Sequence, residues 1–177
     1  IDRENESDLN RCKLRETLTE PFGAIPVLNM RAASAAEIVR RGAKTVHIEL
    51  TGECYDGTSQ NVCATIPGTD KPSEVITLGG HYDSVYFSSG VHDNLSGSVI
   101  VLELLRYFAA HPPRRTLRFC WFGSEEQGLL GSKAYVKAHA DELKDCVAML
   151  NFDVAAPTLG SNHLVTLATD DALHYVT

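Results

Sequence analysis

From Glu74 to Phe152 the chain alternates short apolar runs with amphipathic helical stretches, and this alternation constrains its fold more than any other feature. Residues 75–79 and 116–122 read as buried strands, and residues 147–152 as a further strand. Between them, residues 94–110 read as a helix with apolar positions at Val99, Leu102, Leu105 and Tyr107-Phe108, and residues 125–138 as a second helix. Residues 164–167 read as one more strand. Alternating β and α units predict an α/β fold: a three-layer αβα sandwich with a mixed, largely parallel central sheet covered on both faces. In such sheets ligands sit at the carboxyl ends of the strands, so the residues that follow each strand are the first place to look for chemistry.

Upstream the pattern is different. Residues 1–23 are polar and charged, with a short helix expected over 11–17. Residues 25–28 read as a strand, and Ser34-Ala35-Ala36-Glu37 has the form of a capping box opening a helix that runs to about Arg41 and stops at Gly42. Residues 45–50 and 61–66 alternate with period two around a Gly/Asp/Ser turn and are expected to pair as adjacent antiparallel strands.

Composition narrows the function classes. Sixteen Lys and Arg against 23 Asp and Glu leave the chain at −7, with no basic cluster denser than Arg114-Arg115. A nucleic-acid footprint needs a concentrated positive face, so none is expected. The longest apolar runs fall well short of the roughly 18 residues of a membrane span, and the charged first 20 residues lack the apolar region of a signal peptide. The five cysteines, Cys12, Cys54, Cys63, Cys120 and Cys146, include no Cys-x-x-Cys pair. Cys120 and Cys146 read as small core residues of strands. The odd count favours a reducing, cytoplasmic compartment; a Cys54–Cys63 bridge, or a secreted protein whose amino-terminal part is not in this sequence, would reverse that.

The polar residues fall where the strand rule directs attention. The run ending at Gly79 is followed by Gly80-His81-Tyr82-Asp83-Ser84, the run ending at Phe122 by Gly123-Ser124-Glu125-Glu126, and the third closes on Asp153. Gly90-Val91-His92-Asp93-Asn94 leads into a helix start. Each motif alone has an ordinary structural explanation. Ser124 with Gln127 makes a capping box, Asp93-Asn94 is a common N-cap, and His81 suits a hydrogen-bonded loop. Asp153 is harder to explain that way, because a carboxylate ending an apolar run needs a cation or several donors to offset its desolvation. Their joint placement on one sheet edge points to a site of oxygen and nitrogen ligands suited to Zn²⁺.

In order and spacing these segments, together with Leu95-Ser96-Gly97, Gln127-Gly128-Leu129-Leu130-Gly131-Ser132 and Asn151-Phe152-Asp153, resemble the M28 zinc aminopeptidases, co-catalytic dizinc exopeptidases. The resemblance runs from about Asn61 to Phe152. It implies a zinc exopeptidase-like fold and two Zn²⁺ ions. His81 and Asp153 would bind one, Glu126 the other, and Asp93 would bridge them. Glu125 would be the general acid/base, and Asp83 the carboxylate that orients His81. Peptides with a free N-terminus would be the substrates, since an α-amino group can itself bind a metal, and His92, beside Asp93, would line the substrate cleft.

Two departures accompany the resemblance. Family members pair Glu126 with a fifth ligand, a histidine well downstream. Here the later histidines are His163, expected at the start of a strand, and His174, expected in a final helix, and neither is identified as that ligand. Residues 1–50 resemble the closing part of a protease-associated insert, and residues 51–177 an incomplete zinc peptidase domain, so the sequence reads as a fragment. Other readings share the fold: a carboxypeptidase or dipeptidase of the same clan, a glutaminyl cyclase with one zinc, or a metal-free receptor-like binding module. His47, His111 and His139 are expected to be solvated.

Overall fold

The computed structural model describes residues 30–45, 47, 49, 56–86 and 88–155. The chain divides into two compact units, Ile1–Tyr55 and Asp56–Thr177. In the first unit, helix α1 spans Ala32–Arg40. The expected capping box does not form. Arg31 occupies the N-cap position without a side-chain capping bond, Ser34 lies inside the helix, and Glu37 pairs instead with Arg40 (2.6 Å) and Arg41 (2.7 Å). Arg31 is already extended, with ψ of 142°, so the helix begins before Ser34 can cap it. Gly42 then takes a left-handed φ of +62°, which a glycine adopts without steric penalty. Thr45, His47 and Glu49 have no strand assignment. Val46, Ile48 and Leu50, like the elements expected at 11–17, 25–28 and 164–167, lie outside the described residues.

Among its described residues the second unit has four strands, β1 (Val62–Ile66), β2 (Lys71–His81), β3 (Arg115–Phe122) and β4 (Cys146–Asn151), ordered β1-β3-β2-β4. The β2 strand runs parallel to both β3 and β4, while β1 pairs antiparallel with β3, where the sequence pattern predicts a partner in residues 45–50. Two helices follow β2 and β3: α2 (Ser96–Ala110) and α3 (Leu130–Ala138). Alternation along β3 separates two cores. Leu117 and Phe119 join Leu78 of β2 and Val101 of α2, with Trp121 and Phe152 packed against them, whereas Cys120 and Phe122 pack on Tyr135 of α3 and on Leu143. One helix therefore covers each face of a mixed, largely parallel sheet, the sandwich that the alternating pattern predicts.

The α2 face matches the expected one at Leu105 and Phe108 and differs elsewhere. Val101, Leu104, Leu105 and Phe108 pack inward, at the spacing of one helical stripe, while Val99, Leu102 and Tyr107 are exposed. Of the two cysteines expected in the core, Cys120 is fully buried and Cys146 only partly. Among the described residues no helix is long and apolar enough to cross a membrane.

Candidate metal centre

The register places the carboxyl ends of three parallel strands side by side: His81 of β2 is opposite Phe122 of β3, and Gly79 is opposite Asn151 of β4. The loops leaving these ends bring Asp83, Glu125, Glu126 and Asp153 together, and a wide turn over Val91–Leu95 ahead of α2 adds Asp93. The turn closes through the Leu95 N–H donating to the Gly90 carbonyl at 2.8 Å. Asp93 and Asn94 have non-helical dihedrals there, so the helix begins later than the expected Asn94.

His81 is the buried hub, with a side chain 3% exposed. Its Nδ1 lies 2.9 Å from the backbone carbonyl of Asp83, an acceptor, which fixes the proton on Nδ1 and leaves the Nε2 lone pair facing outward. Nε2 then faces Asp93 Oδ1 at 3.1 Å and Asp153 Oδ1 at 3.3 Å, with Glu125 Oε2 at 4.0 Å. A lone pair and several carboxylate oxygens, acceptors all, pointed at one another are stable only around a cation or a shared proton. Two sets of ligand atoms meet metal-site spacing, within 4.8 Å of one another: His81 with Asp93 and Asp153, and His81 with Glu125 and Glu126. This donor set of one imidazole and carboxylates fits zinc.

The electrostatics carry the same signature. Burial pushes the Glu125 carboxyl above its ordinary range; the His81 ring opposes this, and the charges of Asp153, Asp83 and Asp93 add to it. Glu126 is raised likewise by burial, then by Asp93 and Glu125. For His81 burial alone would lower the pKa, but Asp153, Glu125 and the Asp83 carbonyl outweigh it and the net shift is upward. Such mutual repulsion is what a bound cation removes.

Side-chain bonds hold these loops in place. Asp83 does more than face His81: its carboxylate, 3.5 Å from Nδ1, accepts the backbone N–H groups of Glu125 (2.9 Å) and Glu126 (3.2 Å). That replaces the expected Ser124 capping box. Ser124 instead has φ of 54°, and α3 begins only at Leu130. Asn61 closes the same loop at its base, accepting from the Gly123 N–H (3.1 Å) and donating to the Gly131 carbonyl (2.9 Å). His92 is exposed and stands outside both ligand sets; its carbonyl accepts from the Ser96 hydroxyl at 2.6 Å. His111 stacks on Tyr107, and His139 stacks on Tyr135 beside Glu142, so these two pack locally. His163 and His174 lie outside the described residues. A cleft of about 590 Å³ opens beside the cluster, with His81, Glu125 and Asp153 at its polar end and Leu129, Val136 and Met149 along its apolar wall.

Against known proteins, the profile of peptidase family M28 matches residues 61–175. The chain belongs to peptidase family M28. An aminopeptidase of Pseudomonas aeruginosa is 42% identical over 92 residues, covering 51% of this M28 chain and 17% of the relative. Aminopeptidase YwaD of Bacillus subtilis is 34% identical over 132 residues, covering 73% of this chain and 28% of the relative. Among solved structures, the zinc aminopeptidase BSAP from Bacillus subtilis superimposes with a TM-score of 0.52 at 35% identity, over 56% of this chain and 25% of that one. The M28 chain thus spans between 17% and 28% of the length of the curated relatives it matches.

Proposed function

We propose that the full-length protein is a zinc-dependent aminopeptidase that removes N-terminal residues from peptides. One observation carries this reading: the His81 Nε2 lone pair, fixed by the Nδ1 bond to the Asp83 carbonyl, faces Asp93 and Asp153 at 3.1 and 3.3 Å on the edge where Glu125 and Glu126 arrive from the next strand. The aminopeptidase relatives and the solved zinc aminopeptidase support it. His81 and Asp153 would hold one Zn²⁺, Glu126 a second, and Asp93 would serve both; the influence of Asp93 on Glu126 supports that shared role. Bound zinc supplies Lewis acidity, polarising the scissile carbonyl and acidifying a water.

The proton work falls to Glu125. Its carboxyl, raised by burial and by neighbouring carboxylates, is suited to accept a proton on Oε from the attacking water and return it to the leaving amine. The Asp83 carboxylate holds the Glu125 backbone, so the acid/base is anchored to the loop that leaves β2. His92, exposed beside Asp93, is the proposed contact for the substrate. The division of the chain at Tyr55 supports reading its first unit as part of an insert separate from the peptidase domain.

The test is hydrolysis of aminoacyl p-nitroanilides by the full-length protein before and after chelation, with zinc counted by atomic absorption. The expected result is turnover lost on chelation, restored by zinc, with two ions bound and N-acetylated peptides uncut. In Glu125→Gln zinc should stay while turnover falls by two or more orders of magnitude. Turnover that survives complete metal removal overturns the reading. Cyclisation of an N-terminal Gln peptide by a one-zinc protein would replace it.

A further inference from the structure

Asn94 is 1% exposed and spends its carboxamide on the segment around Asp153. Nδ2 donates to the Phe152 carbonyl at 2.8 Å, and Oδ1 accepts from the Val154 N–H at 3.2 Å and the Gly97 N–H at 3.0 Å. It therefore grips the residue before and the residue after Asp153, while being covalently next to Asp93. Ser96 repeats the pattern one step out: its Oγ donates to the His92 carbonyl at 2.6 Å and accepts from the Ala155 N–H at 3.1 Å. Val154 has φ of 50°, which a β-branched residue adopts only when held there, and Asn94 Oδ1 is one of the groups holding it. The approach is so close that a Cβ on Gly97 would collide with the Phe152 carbonyl and with Asn94 Oδ1.

We propose that Asn94 is a positioning residue of the metal centre, fixing the separation of Asp93 and Asp153 so that both carboxylates reach the ion held by His81. The inference rests on the functional reading above and adds a residue that has no ligand role in it. The physical logic is that of any preorganised ligand set. Asp93 and Asp153 are about half exposed, at 50% and 41%, and are repelled by each other, so their spacing must be imposed from behind. An apolar residue at 94 fills space but makes none of the three bonds. An aspartate keeps both acceptor contacts but sets a carboxylate oxygen against the Phe152 carbonyl, so the donation becomes a repulsion at a buried position.

The experiment compares full-length wild type with Asn94→Ala, Asn94→Asp and Thr116→Ala. Thr116 is buried and hydrogen-bonded to Pro72 at the far end of β2 and β3, so it reports a fold defect away from the metal. Zinc affinity is read by competition with a chromophoric chelator, and ligand geometry by the visible spectrum of the cobalt(II) form. Asn94→Ala should weaken zinc binding roughly tenfold to a hundredfold and shift the cobalt bands, Asn94→Asp should disturb both at least as much, and Thr116→Ala should change neither. In a double-mutant cycle with Asp153→Asn the losses should be non-additive, since both act through one ligand. Wild-type affinity and spectrum in a folded Asn94→Ala, or additive losses, overturn the proposal. If Asn94→Ala does not fold, an Asn94→Asp protein with unchanged affinity and spectrum does the same. A wild-type protein that binds no zinc overturns the functional reading itself, an outcome distinct from a zinc protein indifferent to Asn94.

Discussion

Asp83 joins two parts of the site that reach it from different strands. Its backbone carbonyl sets the His81 tautomer, and its carboxylate takes the N–H groups of Glu125 and Glu126. Asp83→Ala leaves both N–H groups without that acceptor, which costs about 1–3 kcal/mol when such donors are buried. Asp83→Asn is expected to behave nearly as badly, because a carboxamide offers one acceptor and one donor to two donors. Urea denaturation should show both losses, and kcat should fall more than KM changes, since the variant displaces Glu125 rather than the substrate. A fully active Asp83→Asn would show that the clamp does not matter. The proposed ligands were legible because each is a zinc-type residue close behind an apolar run or, for Asp93, just ahead of a helix. The clamps were not. Asp83, Asn61 and Asn94 act on backbone groups 42, 70 and 58 residues away, and no local pattern encodes those partners.

At the scale of elements, the order of strands and helices between residues 61 and 152 followed from periodicity, but faces and helix starts did not. Helix α2 carries apolar residues nearly all round, so its sequence permits two stripes, and only the sheet beneath selects Val101, Leu104, Leu105 and Phe108. Both expected capping boxes failed, because Glu37 found arginines within its own helix and Asp83 took over the N–H groups behind Ser124. Where α2 enters the site, its approach to the end of β4 sets a steric limit. Ser98 donates to the His81 carbonyl at 2.8 Å and Gly97 packs on the Phe152 carbonyl, so the helix start touches the ends of both β2 and β4. Gly97→Ala adds a Cβ against backbone rather than a flexible side chain. The expected destabilisation is about 1–3 kcal/mol or more, read as a lower urea midpoint with an unchanged m-value. Zinc affinity should fall as well, because relief of the clash requires α2 and Asp153 to separate. An alanine variant as stable as wild type would mean that the two elements are less tightly apposed.

For the molecule as a whole, the acidity has a local meaning. Five of the 23 acidic residues, Asp83, Asp93, Glu125, Glu126 and Asp153, meet around one histidine, so the metal-free protein carries concentrated like charge. The pH dependence follows from the direction of each shift. The folded pKa of His81 is raised, so its contribution to stability is full below the unfolded pKa and is lost as pH rises through the folded one. Glu125 and Glu126 are also raised, so each carries no penalty below the unfolded carboxylate pKa and weakens the fold as pH rises from there through its folded pKa. All three act in the same sense. Glu74 and Glu142, lowered by their Lys71 and Arg115 or His139 and Arg118 partners, lose their contribution only as pH falls through pKa values below the ordinary carboxylate range, a separate window. The chelated full-length protein should therefore melt at progressively lower temperature as pH rises from the weakly acidic range to neutrality. Zinc should reverse the trend, because binding favours the same deprotonated groups; at a hundred times Kd it adds about 2.7 kcal/mol. Glu125→Gln should flatten part of the slope in the chelated protein alone. A melting temperature that rises toward neutral pH without metal, or fails to rise with zinc, would mean that these groups do not share one cation site.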